Sequence, residues 1–119
     1  MLGDLQRRNE ALNRIRESLT QDPANLDLAN LYWSALAGPG GDIRSGRHVV
    51  EAYRESALRS TEGAVAFARA YRQLGDASGE PPRLAFFNGS LIQALRSCAL
   101  EVSEGDRSAV EWVLRRIKE

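Results

Sequence analysis

Lysine is nearly missing from this chain: Lys118 is the single lysine in 119 positions, alongside one cysteine, one histidine and one methionine. With Cys98 alone, no internal disulfide can form, and the shortage of thiol and imidazole removes the donor clusters that metal sites draw on. His48 has no cysteine or second histidine to work with, so nucleophilic catalysis finds no cluster. Gly38-Pro39-Gly40-Gly41 is the one glycine-dense stretch, but it lacks the lysine and the preceding strand of a phosphate loop, and no dinucleotide fingerprint occurs. An excess of charge is also missing. Lys plus Arg is 16 and Asp plus Glu is 16, so no broad field favours phosphate backbones or acidic membranes, and neither nucleic acid nor membrane is an expected partner. Charges begin at Asp4, and Met1 to Glu10 carries no long apolar run, which fits neither a secretory signal nor a spanning helix; a cytoplasmic location is expected. The arginine bias points to a GC-rich bacterial genome and carries no mechanism.

Alternating β-branched runs of strand length are absent too, and what is present is a helical period. The expectation is an all-α domain of about six helices. Leu5, Leu12, Ile15 and Leu19 mark one face of a first helix over about 4–20, stopped at Gln21-Asp22-Pro23 because proline disfavours helix in the residue before it. Asn25 caps a second, with Leu28, Leu31, Tyr32, Ala35 and Leu36 inward, ending in the turn at Gly38 to Asp42. A third starts near Ser45 and buries Val49, Val50, Tyr53 and Ala57. Thr61 is the expected cap of a fourth, whose stripe is Ala64, Phe67, Ala68, Tyr71 and Leu74, closed by Gly75-Asp76. Pro81 and Pro82 suit the opening of a fifth, lined by Leu84, Phe87, Leu91, Leu95, Cys98 and Val102. Within it, Asn88-Gly89 either splits the helix or lets a neighbouring backbone approach closely at Gly89, and the second is the expectation. Gly105-Asp106 ends that segment and opens a sixth with Val110, Val113, Leu114 and Ile117, whose Arg115, Arg116 and Lys118 suit a helix C-terminus. Cys98 reads as a small buried hydrophobe.

Ala57-Leu58-Arg59-Ser60 recurs as Ala94-Leu95-Arg96-Ser97, a spacing of 37 residues that also brings Ala29 over Ala66 and Gly38 over Gly75. Each copy reads as helix, glycine turn, helix, the pattern of hairpin solenoids. The expected divisions are a first helix and linker over 1–24, hairpin units over 25–60 and 61–102, and a capping helix over 103–119. Ser18 to Asn25 resembles the end of one tetratricopeptide repeat and its linker, and Ala70-Tyr71-Arg72-Gln73-Leu74-Gly75-Asp76 resembles the end of that family's first helix. Ala64, Phe67, Ala68, Tyr71 and Gly75 fall at the family's spacing. The unit is longer than the family's 34 residues, the turns are longer, and the register of the first unit is ambiguous; an irregular helical bundle is the alternative.

What the resemblance implies is a short superhelix whose first helices line a partner-binding groove, at Glu62, Val65, Arg69, Arg72 and Gln73 in the second unit. Asn30 and Trp33 are the candidates in the first. The two arginines beside Val65 would fork onto a partner's carboxylates; the plainer reading is a solvated face for the arginines and a core role for Trp33. Trp112 lies off the stripe of its helix, either as an interface residue or within a wide apolar face. His48, Glu51 and Glu55 share one helical face but have no matching acids elsewhere, and a solvated face is the reading taken. The expected function is a non-enzymatic adaptor or chaperone-like module for an unidentified protein partner, with no cofactor and no metal, and with open stacking ends that allow homo-oligomers. The alternative is a compact small subunit, inhibitor or immunity-type protein acting through a patch at Trp112; a metal-binding or enzymatic helical protein has the least support.

Overall fold

The computed structural model describes residues 2–38, 41–78 and 89–118, with side chains at all of these except 2, 4, 5, 77, 78, 117 and 118. They form six α-helices: α1 (Leu2–Gln21), α2 (Leu26–Ala37), α3 (Arg47–Ala57), α4 (Thr61–Ser78), α5 (Gly89–Glu101) and α6 (Glu104–Lys118), with a 3-10 turn at Ile43–Gly46 leading into α3. Among the described residues there is no strand, so the all-α expectation holds. No described helix is long and apolar enough to cross a membrane.

α4 lies at the centre because its apolar face is too wide for one neighbour. Ala64, Phe67, Ala68, Tyr71 and Leu74 are all buried as the spacing predicts, and Ala70 is buried beside them. The helix accordingly packs on α3, α5 and α6, which covers more than a single amphipathic stripe requires. Phe67 is fully buried and stacks on Tyr71 with ring centroids 5.9 Å apart; burying such a ring contributes about 1.5–3 kcal/mol. The closest approach in the molecule's centre is at Gly63, where an added Cβ would lie 2.2 Å from the backbone oxygen of Ser56. α3 and α4 therefore meet almost backbone to backbone. Ser56, buried in the same crossing, donates its hydroxyl to the carbonyl of Ala24 at 3.0 Å, so a polar side chain is satisfied while it ties the end of α3 to the linker before α2.

Helix ends follow local chemistry. Asn25 Oδ1 accepts from the Leu28 amide at 3.1 Å, as expected of a cap. At the start of α4 the cap is Ser60 and not Thr61: Ser60 Oγ accepts from the Gly63 amide at 3.0 Å, while Thr61 donates its hydroxyl to Glu101 of α5. Asp42 caps the 3-10 turn through the Arg44 amide, and α3 proper begins at Arg47, two residues past the expected start at Ser45. Arg8 reaches from α1 to the Ala35 carbonyl at 2.9 Å, and Arg107 donates to Ala99 and Val102; each satisfies carbonyls that the last turn of a helix leaves without partners.

Several expectations are corrected. Leu31 is 55% exposed, because α2 packs against α1, α3 and the 3-10 turn and the flank carrying Leu31 is left outside them. Gly75-Asp76 does not end α4, which runs to Ser78 with Leu74 and Gly75 buried; that packing outweighs the helix cost of glycine, about 1 kcal/mol. α5 ends at Glu101 and α6 begins at Glu104, so Gly105 and Asp106 belong to its first turn. Among the described residues nothing approaches Gly89, where a Cβ would meet no atom within 4 Å. Asn88, the proline pair and the expected inward Leu84 and Phe87 lie outside the described residues, as do the side chains of Leu5 and Ile117. The described chain measures 47 × 29 × 27 Å with a radius of gyration of 14.5 Å, longer than the about 13.5 Å of a compact chain of this length.

Two glycines in helices of the same molecule should respond oppositely to a methyl group. Gly63→Ala is expected to lower stability by about 1–3 kcal/mol through the clash with Ser56. Gly105→Ala, in open space, is expected to raise it by a few tenths to about 1 kcal/mol. Urea unfolding of both variants beside the parent checks the pair.

Candidate functional site

Leu26, Asn30 and Trp33 recur every three or four residues along α2, and Glu62, Val65, Ala66, Arg69, Ala70 and Gln73 do the same along α4; both stripes line one cleft of about 370 Å³, with buried Tyr53 of α3 at its floor. Six of the anticipated residues, Asn30, Trp33, Glu62, Val65, Arg69 and Gln73, are thereby brought together. Sequence reasoning missed Leu26, Ala66, Ala70 and Tyr53. Leu26 was legible as the residue one turn before Asn30 and two before Trp33. Tyr53 was read as core only, and it is both: its ring is buried while its hydroxyl donates to Asn30 Oδ1 at 2.8 Å.

The cleft is held in shape by pairs of its own polar groups. The indole N–H of Trp33 donates to Gln73 Oε1 at 2.9 Å, a bond from α2 to α4. The ring of Trp33 meets Tyr53 edge-on at 6.5 Å, and it lies against Gly46, where a Cβ would come within 2.4 Å of the indole. Trp33 is thus half-buried; it closes part of the core and lines the cleft at once. Arg69 is not a free fork, since its guanidinium is paired with the Asp106 carboxylate of α6. Arg72 is half-buried and lines an adjoining cleft of about 410 Å³ with Arg69, Gln73, Asp76, Gly105 and Ala109. The two arginines therefore sit at the junction of two clefts, one of them already engaged.

Trp112 is elsewhere. It is half-buried, its ring edge-on to Tyr71 at 5.9 Å, with the Arg116 guanidinium 4.9 Å over its face. A further hollow of about 380 Å³ lies between α1 and α3, where Arg16, Thr20, His48, Glu51 and Glu55 face one another. There Glu55 pairs with Arg54 at 2.8 Å and Glu51 lies 3.7 Å from Arg47. Among the described residues no three His, Cys, Asp or Glu side chains converge as a metal site would require.

Burial pushes the Tyr53 phenol well above its usual range. Tyr71 moves the same way by burial, opposed by the nearby Arg116 charge. The Cys98 thiol is raised by burial and by the carboxylates of Glu101 and Asp106; its sulfur lies 3.7 Å from the Thr61 carbonyl. All three groups are held neutral, which is the opposite of an activated nucleophile. No protein-family model matches the chain, and neither a curated protein nor a solved structure matches it.

A neutral phenol favoured by the fold sets the sign of the alkaline response. The unfolded chain releases the Tyr53 proton near pH 10 while the native state retains it, so stability should fall as pH rises above about 10, by up to about 1.4 kcal/mol per pH unit for this group. Tyr53→Phe should be less stable at pH 8, by about 0.5–1.5 kcal/mol for the lost bond to Asn30, yet show a shallower decline between pH 9 and 11. Urea midpoints at those pH values provide the check, and parallel slopes would contradict the assignment.

Proposed function

We propose that the chain is a tetratricopeptide-like protein-interaction module, of adaptor or chaperone type and working in the cytoplasm, which holds a peptide or helix of a partner protein in the cleft between α2 and α4. The observation that carries this reading is the convergence of Asn30, Trp33, Glu62, Val65, Arg69 and Gln73 on one open hollow. Its apolar floor and hydrogen-bonding rim have the make-up of a recognition groove. Glu62 to Gln73 spans about 16 Å at the rise of a helix, enough for about five residues of extended chain.

Support for a hairpin array comes from repeated closures. The last part of α3 donates from Ser56 to the Ala24 carbonyl just before α2, and the last part of α5 sets Cys98 on the Thr61 carbonyl at the start of α4. In each case a second helix is pinned to the beginning of the first helix of its unit. α2, α4 and α6 also open alike, with the carbonyls of Asn25, Ser60 and Ser103 accepting from the amides four residues on. Elongation of the molecule agrees with stacking. The other reading, a compact small subunit or inhibitor acting through Trp112, has less support, because that indole is already covered by Tyr71 and Arg116.

A photo-crosslinking amino acid placed at Glu62 or Gln73 should yield an adduct with the same partner protein in source cells. The same group at Glu10, on exposed α1, should not. Equal adducts at all positions, or none from the cleft, would overturn the groove assignment.

A further inference from the structure

Resting on that reading, we infer that the segment held in the α2/α4 cleft is cationic, with an arginine or lysine seated against Glu62 and a neighbouring apolar side chain on Leu26, Val65 and Ala66. Charge complementarity selects this occupant. Arg69 and Glu62 are the charged residues lining the cleft. The first is neutralised by Asp106, and the remaining polar groups, Trp33 with Gln73 and Tyr53 with Asn30, are uncharged pairs. Arg72 and Asp76 line the adjoining cleft and not this one. Glu62 is left as the uncompensated charge: it is exposed and has no ion-pair partner among the described residues. Arg59, the cation nearest it in sequence, does not line the cleft.

The sign of the selection follows from what each candidate ligand would gain. A carboxylate arriving at Arg69 meets a guanidinium whose charge is already offset by Asp106, and brings a second negative charge beside Asp106 and Glu62. An ammonium or guanidinium arriving at Glu62 makes a pair where none exists. Val65 and Ala66, one turn on in the same lining, offer apolar surface to the hydrocarbon stem of the cation or the residue beside it. Glu62 occupies the first turn of α4, a position that favours acids for the helix's own sake; exposure of its side chain on the cleft is what makes it available to a ligand.

The test uses the purified full chain with a photo-crosslinking residue at Gln73. Its probes are two randomised libraries of about 12-residue peptides with matched apolar and neutral content, one charged with Arg and Lys and the other with Asp and Glu. The basic library should give most of the adducts, and the preference should weaken as salt rises. Glu62→Gln should reduce capture about two- to fivefold, the range of a partly exposed ion pair, and Glu62→Lys should shift preference to the acidic library. Glu55→Gln, on the α1/α3 side, should change nothing, and circular dichroism spectra of the variants should stay helical, the melts of the Glu62 variants falling by no more than the loss of one acid at a helix N-terminus. Preference for the acidic library, or indifference to Glu62→Gln, overturns the cationic assignment and leaves the cleft as a binding site. No adduct with either library overturns both.

Discussion

The near-contact of backbones at Gly63 and Ser56 is the constraint on which the architecture depends. It brings the end of α3 close against the start of α4, and small residues at 64, 66, 68 and 70 continue along a helix that packs on three others. Ser56 then uses its hydroxyl to hold the linker that launches α2. Through that chain of contacts α2 is tied to the α3/α4 junction, and the Trp33–Gln73 bond joins it to α4. The cleft is a by-product of where the core is tightest.

Core positions were legible because burial imposes a period. Every inward residue expected in α3 and α4 is buried, and Asn25, a short acceptor before an apolar run, caps as its chemistry requires. What misled were signals of local preference that tertiary packing overrode. Gly75-Asp76 reads as a stop, yet α4 continues through it. Thr61 and Ser60 are equally good caps by composition, and the choice fell to Ser60 once Thr61 had a partner in Glu101. Leu31 fits the stripe of α2 by spacing alone, and no neighbouring helix covers that flank.

The candidate site was legible in its residues and not in its chemistry. Spacing placed Glu62, Val65, Arg69 and Gln73 on one face of α4, and they share one cleft lining, since periodicity assigns faces; the α2 face was not fixed by spacing, and Leu26 was missed. It was silent on pairing across helices, because pairing depends on which helix lies alongside which. Asp106 pairs with Arg69, so the arginine that the resemblance offered to a partner's carboxylate already holds one from its own chain. Buried groups elsewhere are kept neutral and satisfied; among the described residues no buried side-chain nitrogen or oxygen lacks a hydrogen-bond partner.

Gly46 and Trp33 occupy one volume between them. Any side chain at position 46 needs a smaller ring at 33, and loss of that ring removes the link to Gln73 as well. Across related chains, positions 33, 46 and 73 are thus bound to drift as a trio: where the indole is replaced, glycine is released from its duty beneath it, and the width of the hollow is free to be reset for a different guest.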